Sequence, residues 1–180
     1  MYWFLSGSPI SILPFLLISA AWMIGGWLLA RSAFRLEPRE RLTVGVGLGL
    51  AVFVFLSNLL ARWLPADLAF TAAGITILVS GGLTARRAFS NLREDLTGWP
   101  ILAGVVVGTI FFTLVSRGVA ILDDRKNLSL ISMMAAGDIP PHFYMNPVAV
   151  FRYHYGFQLL GASAVRLGGL FPWSAFDLTK

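Results

Sequence analysis

Residues 9–30, PISILPFLLISAAWMIGGWLLA, decide the fold of this chain because 22 consecutive positions carry no charged side chain. A helix that crosses a bilayer core needs about 20 such predominantly apolar residues. Three further stretches of similar length follow, at residues 42–61, 68–85 and 101–122. A fifth stretch, residues 156–171, is shorter and contains Arg166, so it spans the bilayer if it extends to Phe176 and otherwise only enters it.

The composition of the whole chain agrees with these stretches. Hydrophobic residues make up 57% of the 180 residues and charged residues 13%, whereas soluble domains average about 45–50% and about 25%. So few charges cannot cover a soluble surface, and a disordered chain is poor in apolar residues. The sequence therefore predicts an all-α membrane protein with four to five transmembrane helices and one short external amphipathic helix.

We expect three regions along the chain. Residues 1–122 form a four-span transmembrane bundle, residues 123–155 an external loop with a surface helix, and residues 156–180 a fifth membrane helix, complete or partial, and a tail. The absence of cysteine excludes disulfide frameworks and thiolate sites. The net charge of +5 comes largely from arginines in short loops that face anionic lipid, and no basic helix supports a nucleic-acid partner.

The distribution of arginine predicts the orientation of the spans. The loops at residues 31–41 and 86–93 contain four and three arginines, whereas the second loop contains only Arg62 and the N-terminal segment contains none. Lys and Arg concentrate in cytoplasmic loops of membrane proteins. We therefore expect a multi-pass protein of the plasma membrane, with its N-terminus and residues 123–155 outside the cytoplasm.

Small residues recur within two of the spans. Gly45, Gly47 and Gly49 alternate along the second span, and Gly104 and Gly108 form a G-x-x-x-G motif in the fourth. Glycines let helix backbones approach closely in lipid. The motifs indicate either packing between helices of this chain, which is the simpler interpretation, or a specific dimer face.

The segment 123–155 differs from the rest of the chain. It contains both histidines and three of the nine prolines, and its 33 residues exceed what a plain connector needs. Leu128, Ile131, Met134 and Ala135 share one helical face, which Asn127, Ser129 and Ser132 avoid. This pattern predicts a helix on the outer membrane surface that ends near Ala136, because Gly137 and Pro140-Pro141 follow.

Two adjacent acids precede that helix. Asp123 and Asp124 could hold a divalent cation, which prefers oxygen ligands, or one of them could act as a general base. The same residues could instead cap the free N–H groups of the helix and complement its dipole. The sequence leaves both interpretations open and predicts Asp123 and Asp124 as candidate catalytic and metal-binding residues.

Basic residues flank the same segment. On an extended chain Arg152 and His154 face the same way, and together they could hold a phosphate, with Arg making paired hydrogen bonds. Arg117, near the end of the fourth span, could help to hold the anion or extend to the membrane surface. An aromatic and basic anchor at the membrane interface would explain Arg152 and His154 equally. His142 is expected to be a solvated loop residue.

The segment resembles the first external region of C-type glycosyltransferases, which use lipid-linked sugars, and of their multi-span relatives. The residues that carry the resemblance are Asp123-Asp124, the helix ending near Ala136, the GDIPP turn and RYHYGFQLLGASAVRL from Arg152 onward. The resemblance covers roughly residues 117–171. It implies that a loop acid acts as base or metal ligand and faces a polyprenyl-phosphate sugar donor outside the membrane.

The resemblance therefore suggests the N-terminal part of a lipid-linked-sugar-dependent glycosyltransferase, since a complete site of that kind needs more spans than these. Its partners would be membrane lipid and a polyprenyl-phosphate sugar, and its cofactor a divalent cation. The alternative is a non-catalytic accessory subunit packed against other membrane subunits of a larger complex.

The orientation can be tested with fusions. A reporter that is active only in the cytoplasm should work when fused after Arg35 or Arg87, because both lie in the arginine-rich loops. The same reporter should be silent when fused after Asp138. Activity of the Asp138 fusion would reverse the orientation.

Overall fold

A computed structural model describes residues 9–85, 92–119, 124–143, 145–151 and 154–179. Most of these residues are helical, which confirms the predicted all-α membrane class. The elements are α1 (Leu13–Ala33, after a 3-10 turn at Pro9–Ile12), α2 (Pro38–Leu60), α3 (Ala66–Ala85), α4 (Leu92–Asp95), a 3-10 turn (Leu96–Gly98), α5 (Trp99–Val119), α6 (Asp124–Ala135), β1 (His142–Phe143), β2 (Asn146–Val150), α7 (Gly156–Gly168) and α8 (Pro172–Thr179).

Three helices within the described residues are long and apolar enough to cross a membrane: Ile10–Ala33, Pro38–Leu60 and Ala66–Ala85. At about 1.5 Å per residue, 20 residues cover the roughly 30 Å of a bilayer core. These helices are the first three predicted spans. The fourth predicted span corresponds to α5, an apolar helix of 21 residues; its crossing of the membrane stays a prediction.

The fifth apolar stretch forms two helices and not one. α7 has 13 residues, about 20 Å at the usual rise, and ends where Gly169 adopts a left-handed conformation with φ of 62°. α8 begins at Pro172. Of the two alternatives left open by the sequence, a single helix that extends to Phe176 is not formed, because the helix ends at Gly169 and Pro172 starts a new one. Arg166 of α7 lies 3.5 Å from the Asp67 carboxylate.

A short β-hairpin interrupts the helices, which the sequence pattern did not predict. β1 and β2 pair antiparallel, with His142 opposite Val150 and Phe143 opposite Asn146, and a bulge lies between the two pairs. Pro147 in β2 lacks an N–H group, which a two-stranded hairpin tolerates because its outer edges are unpaired.

The chain divides into two compact units. Unit 1 comprises Met1–Ile18, Val54–Ala72 and Leu122–Lys180, and unit 2 comprises Ser19–Phe53 and Ala73–Ile121. The second loop and the predicted external loop thus belong to unit 1, whereas the two arginine-rich loops belong to unit 2.

Glycines bring backbones into direct contact in unit 2. A Cβ atom on Gly26 would clash with the carbonyl oxygen of Gly45, and one on Gly49 would clash with the carbonyl oxygen of Trp22. The predicted packing within the chain is therefore confirmed for Gly45 and Gly49, since no side chain fits between α1 and α2 there.

Other glycines of the two predicted motifs do not share this role. A Cβ atom added to any of three positions would meet no heavy atom within 4 Å among the described residues: Gly47, Gly104 and Gly108. On α5, the described side chains between Trp99 and Val115 are half-buried or exposed throughout.

The core of unit 1 contains α6, α7 and α8. Its buried hydrophobic residues are Phe15, Ile131, Ala164, Leu170, Ala175 and Phe176. Gly161 of α7 lets Ile131 of α6 approach, because a Cβ atom there would lie 2.9 Å from the Ile131 Cδ1 atom. α6 therefore directs its apolar face at protein and not only at lipid.

The apolar face predicted for α6 packs as expected, although Leu130 and Asn127, which lie off that face, are buried as well. Ile131, Met134 and Ala135 are buried as expected, and Gly137 follows the helix with φ of 108°. Asn127 was expected to avoid the apolar face, which is wrong because it is 6% exposed. Its amide shares a hydrogen bond of 2.9 Å with the amide of buried Gln158 on α7, and this pairing offsets the desolvation of both groups.

A buried carboxylate connects three segments of unit 2. Asp95, at the end of α4, is 1% exposed. Its Oδ2 atom accepts hydrogen bonds from Trp27 Nε1 at 3.1 Å and Arg31 Nη1 at 2.7 Å, and its Oδ1 atom accepts one from Arg41 Nη1 at 3.0 Å. Asp95 therefore joins the end of α1, the beginning of α2 and the segment leading into α5.

Replacing Asp95 by Asn should destabilise the protein strongly. The amide keeps the shape of the carboxylate but leaves Arg31 and Arg41 without their countercharge, and breaking a buried pair costs about 3–5 kcal/mol. The measurement is thermal unfolding of the purified protein in detergent.

Glu37→Gln provides the matched control. Glu37 lies 2.8 Å from Arg39, but both side chains are more than half exposed, so its loss should cost about 0–1 kcal/mol. Equal melting temperatures for the two variants would show that the buried network contributes no more than a surface ion pair.

Candidate functional site

Unit 1 contains a partly open cavity of about 290 Å³ between α6 and the hairpin. The side chains that line it are Lys126, Ser129, Leu130, Met133, His142, Phe143 and Phe151. The four residues from α6 follow the i, i+3, i+4, i+7 spacing, which places them on one face of the helix. The volume is near the lower end of the roughly 300–1,000 Å³ that small-molecule pockets occupy.

The turn between α6 and β1 positions His142 at this cavity. The Asp138 carboxylate accepts a hydrogen bond from the His142 backbone N–H at 2.8 Å, and its other oxygen lies 2.5 Å from His142 Nδ1. Pro140 and Pro141 between them restrict the backbone and supply no competing N–H donor. One carboxylate therefore fixes both the backbone and the imidazole ring of His142.

Aromatic side chains form the opposite wall of the cavity. Phe143 and Phe151 pack edge to face with ring centroids 4.8 Å apart, and the Phe151 N–H donates to the Pro141 carbonyl oxygen at 2.7 Å. The Lys126 ammonium lies 5.3 Å from the centroid of the Phe151 ring, within the range of a cation–π interaction. The cavity thus combines a cation and an oriented imidazole with apolar walls.

Tyr155 connects the RYHYG segment to the end of α2. Its hydroxyl donates to Asn58 Oδ1 at 2.9 Å. Burial raises the pKa of Tyr155 above its ordinary value, although Arg62 and the Asn58 hydrogen bond oppose the shift. This contact fixes the entry of α7 within unit 1.

The predicted site residues are only partly described. Asp124 is the first residue of α6, and Arg117 lies in α5. His154 is exposed just before α7. Asp123 and Arg152 lie outside the described residues. The catalytic and metal-binding role of Asp123 and Asp124 therefore stays a prediction. The same holds for the phosphate contacts of Arg117, Arg152 and His154.

The described ranges also bear on metal binding. They contain no group of three or more His, Asp or Glu side chains placed to hold a metal ion. Asp123 is not among these residues, so the predicted divalent cation site at Asp123 and Asp124 is untested.

Comparisons with known proteins give no family for the chain. No protein-family model matches it, and no match was found among curated proteins or solved structures.

Sequence reasoning missed the principal residues of the cavity. The expectation that His142 is a solvated loop residue is wrong, because it pairs with Asp138 and only 35% of its side chain is exposed. The available signal was the spacing of Asp138 and His142, four residues apart across two prolines, which can close a tight turn.

Tyr155→Phe should lower the free energy of unfolding by about 0.5–1.5 kcal/mol at neutral pH, because the Asn58 hydrogen bond is lost. Since the pKa of Tyr155 is raised in the folded state, its contribution is fully present below pH 10 and is lost as the pH rises through the folded-state pKa.

The difference between wild type and Tyr155→Phe should therefore shrink in strongly alkaline solution. A double-mutant cycle with Asn58→Ala, measured by chemical unfolding, isolates the coupling. Additive effects of the two substitutions would show that the contact contributes nothing.

Proposed function

We propose that this protein handles polyprenyl-phosphate sugars at the external face of the plasma membrane, as the N-terminal part of a lipid-linked-sugar-dependent glycosyltransferase. The observation that carries the proposal is the organisation of the segment that resembles those enzymes. In unit 1 this segment contains α6, a hairpin and α7, and α6 and the hairpin line a cavity in which Lys126 and His142 lie beside apolar side chains.

The internal contacts of the segment favour a binding role over a connecting one. A connector would need neither a buried amide pair between Asn127 and Gln158 nor a carboxylate that fixes His142. Such specific polar contacts hold side chains in one arrangement, which is what a preorganised site requires.

The chemistry of glycosyl transfer needs three kinds of group close together. A base accepts the proton of the acceptor hydroxyl, cations stabilise the phosphate that leaves with the lipid, and apolar walls contact the isoprenoid. Asp123 or Asp124 would supply the base or hold a divalent cation. Arg117, Arg152 and His154 would contact the phosphate.

An accessory role in a larger membrane complex is the second candidate. The observation in its favour is α5, where most of the large apolar side chains between Trp99 and Val115 are exposed, with Phe112 at 73%. A partner helix could cover them, although lipid would do so equally. Stoichiometric copurification with other membrane proteins, without sugar transfer, would support this role.

The proposal predicts that Asp123→Asn or Asp124→Asn abolishes sugar transfer without unfolding the protein. Asn retains helix-capping ability, so a purely capping pair should lose at most about 1 kcal/mol of stability and no activity. The measurement is release of polyprenyl phosphate from a panel of polyprenyl-phosphate sugars by native membranes of the source cell, which contain the further spans that the proposed complete enzyme requires.

The control is Asp177→Asn, because Asp177 is an acidic residue of α8 outside the cavity lining. Asp138→Asn would not serve, because Asp138 fixes the position of His142. Full activity of both the Asp123 and the Asp124 variant would overturn the catalytic role of the pair.

A further inference from the structure

The beginning of α7 lies against the end of α2 within unit 1. A Cβ atom on Gly156, the first residue of α7, would lie 3.6 Å from the Val54 Cγ1 atom. The preceding residue, Tyr155, donates its hydroxyl to Asn58 Oδ1. Val54 and Asn58 both belong to the last two turns of α2, which ends at Leu60. The entry to α7 is therefore close to one end of a membrane span.

The other end of α7 lies against the beginnings of α1 and α3. The Arg166 Nη2 atom lies 3.5 Å from Oδ1 of Asp67, the second residue of α3. A Cβ atom on Gly168 would lie 3.2 Å from the Phe15 Cβ atom, in the first turn of α1. The Ser11 hydroxyl, just before α1, donates to the Gly168 carbonyl oxygen at 3.4 Å. α7 thus contacts one end of each of the three spans.

These contacts determine how α7 lies in the membrane. Consecutive spans run in opposite directions, so the beginning of α1, the end of α2 and the beginning of α3 lie at the same side of the bilayer. The 13 residues of α7 cover about 20 Å, whereas a bilayer core is roughly 30 Å thick. A helix that is too short to cross, and whose two ends both contact this side, runs along the membrane surface.

α8 stays on the same side as α7. Ala175 and Phe176 of α8 share a buried cluster with Phe15, at the beginning of α1, and with Ile131 of α6. The eight residues of α8 cover about 12 Å, which is too short for a crossing. The chain therefore does not return through the bilayer between Gly156 and Thr179.

Exposed arginine and tryptophan side chains occur on this part of unit 1. Arg62 and Trp63 follow α2 directly and are both exposed, Trp63 at 72%. Arg166 of α7 and Trp173 of α8 are 48% and 45% exposed. Tryptophan concentrates at the headgroup level of membranes, and arginine binds phosphate through paired hydrogen bonds. We refer to Arg62, Trp63, Arg166 and Trp173 as the arginine–tryptophan belt.

The ion pair of Arg166 leaves it able to bind a further group. Its distance of 3.5 Å from Asp67 is longer than the roughly 2.7–2.9 Å of a charge-assisted hydrogen bond. A guanidinium group carries five N–H donors, and about half of this side chain is exposed. Donors of Arg166 can therefore reach an anionic oxygen outside the protein.

We propose that α7 and α8 lie in the headgroup layer of the bilayer, where the arginine–tryptophan belt binds lipid. Arg62 and Arg166 bind lipid phosphate groups, and Trp63 and Trp173 contact the boundary between headgroups and acyl chains. This surface continues the lipid-facing surface of the spans, because Arg62 lies two residues beyond the end of α2 and Arg166 lies beside the beginning of α3. The placement does not depend on the proposed function.

Single cysteines test the placement, because the chain itself contains no cysteine. Leu64→Cys lies in the α2–α3 turn, Leu178→Cys in α8 and Glu37→Cys between α1 and α2, and all three positions are exposed. In sealed vesicles of one orientation, a membrane-impermeant maleimide should treat Leu64→Cys and Leu178→Cys alike and Glu37→Cys in the opposite way. Labelling of Leu178→Cys from the side of Glu37→Cys would overturn the placement.

Nitroxide labels measure whether lipid covers the belt. Labels at Trp63→Cys and Trp173→Cys should show the same headgroup depth from their accessibility to oxygen and to a nickel chelate, whereas Ile75→Cys, in the middle of α3, should lie deeper. Accessibility typical of water at Trp173→Cys would overturn the lipid contact. Low accessibility to both reagents would show that another protein covers the belt, and would overturn it equally.

Added lipid tests the role of the two arginines. Phosphatidylglycerol should raise the melting temperature of the purified protein more than diacylglycerol, which lacks the phosphate. Arg62→Gln and Arg166→Gln should each reduce this difference by about half, because each removes one of two phosphate-binding groups. Arg39→Gln is the control, since it removes the same charge at the beginning of α2. An equal reduction in Arg39→Gln, or no difference between the two lipids, would overturn the phosphate contacts.

Discussion

One carboxylate holds unit 2 together, because Asp95 accepts hydrogen bonds from Trp27, Arg31 and Arg41 while almost fully buried. Moving a carboxylate and two guanidinium groups out of water costs several kcal/mol for each ion, and only close geometry with further hydrogen bonds repays it. The distances of 2.7 and 3.0 Å meet that condition. Such a network mainly determines which segments contact each other, and its net contribution to the free energy of unfolding is smaller.

Close backbone contact is the second constraint on unit 2. Helices in lipid gain little from burying apolar side chains, because lipid tails are equally apolar. Gly26, Gly45 and Gly49 instead allow α1 and α2 to touch along their backbones. Gly98 follows the same rule, since a Cβ atom there would clash with the Arg39 carbonyl oxygen. The α4–α5 link therefore lies directly against the beginning of α2, three residues from Asp95.

The features that the sequence predicts well are local ones. Apolar length identifies three spans, and the position of Gly137 identifies the end of α6, because each depends on neighbouring residues only. Gly169 carried the same kind of signal, and it explains why the fifth apolar stretch is two helices. The hairpin was missed because β1 has only two residues, too few to show an alternating pattern.

The features that the sequence does not predict depend on contacts between distant residues. Asp95 pairs with Arg31 across 64 positions, and Asn127 pairs with Gln158 across 31. From one sequence, nothing distinguishes Arg31 from the other arginines of its loop or marks Asn127 as buried. The cavity is a similar case, because its lining comes from α6 and from the hairpin, and no residue in either segment indicates the other.

The charged groups of the two units differ in how deeply they are buried and in how many hydrogen bonds they make, and these differences indicate different roles. In unit 2 the Asp95 carboxylate has three donors and almost no exposure to solvent, which suits a structural role. In unit 1 the Asp138 carboxylate is 31% exposed and engages only one of the two imidazole nitrogens of His142. A buried charge whose hydrogen bonds are made within the protein stabilises the fold. An oriented side chain that keeps a hydrogen-bonding atom accessible can bind a ligand. Among the described residues, the turn that carries Asp138 and His142 is therefore the candidate site, whereas the Asp95 network of unit 2 connects helices.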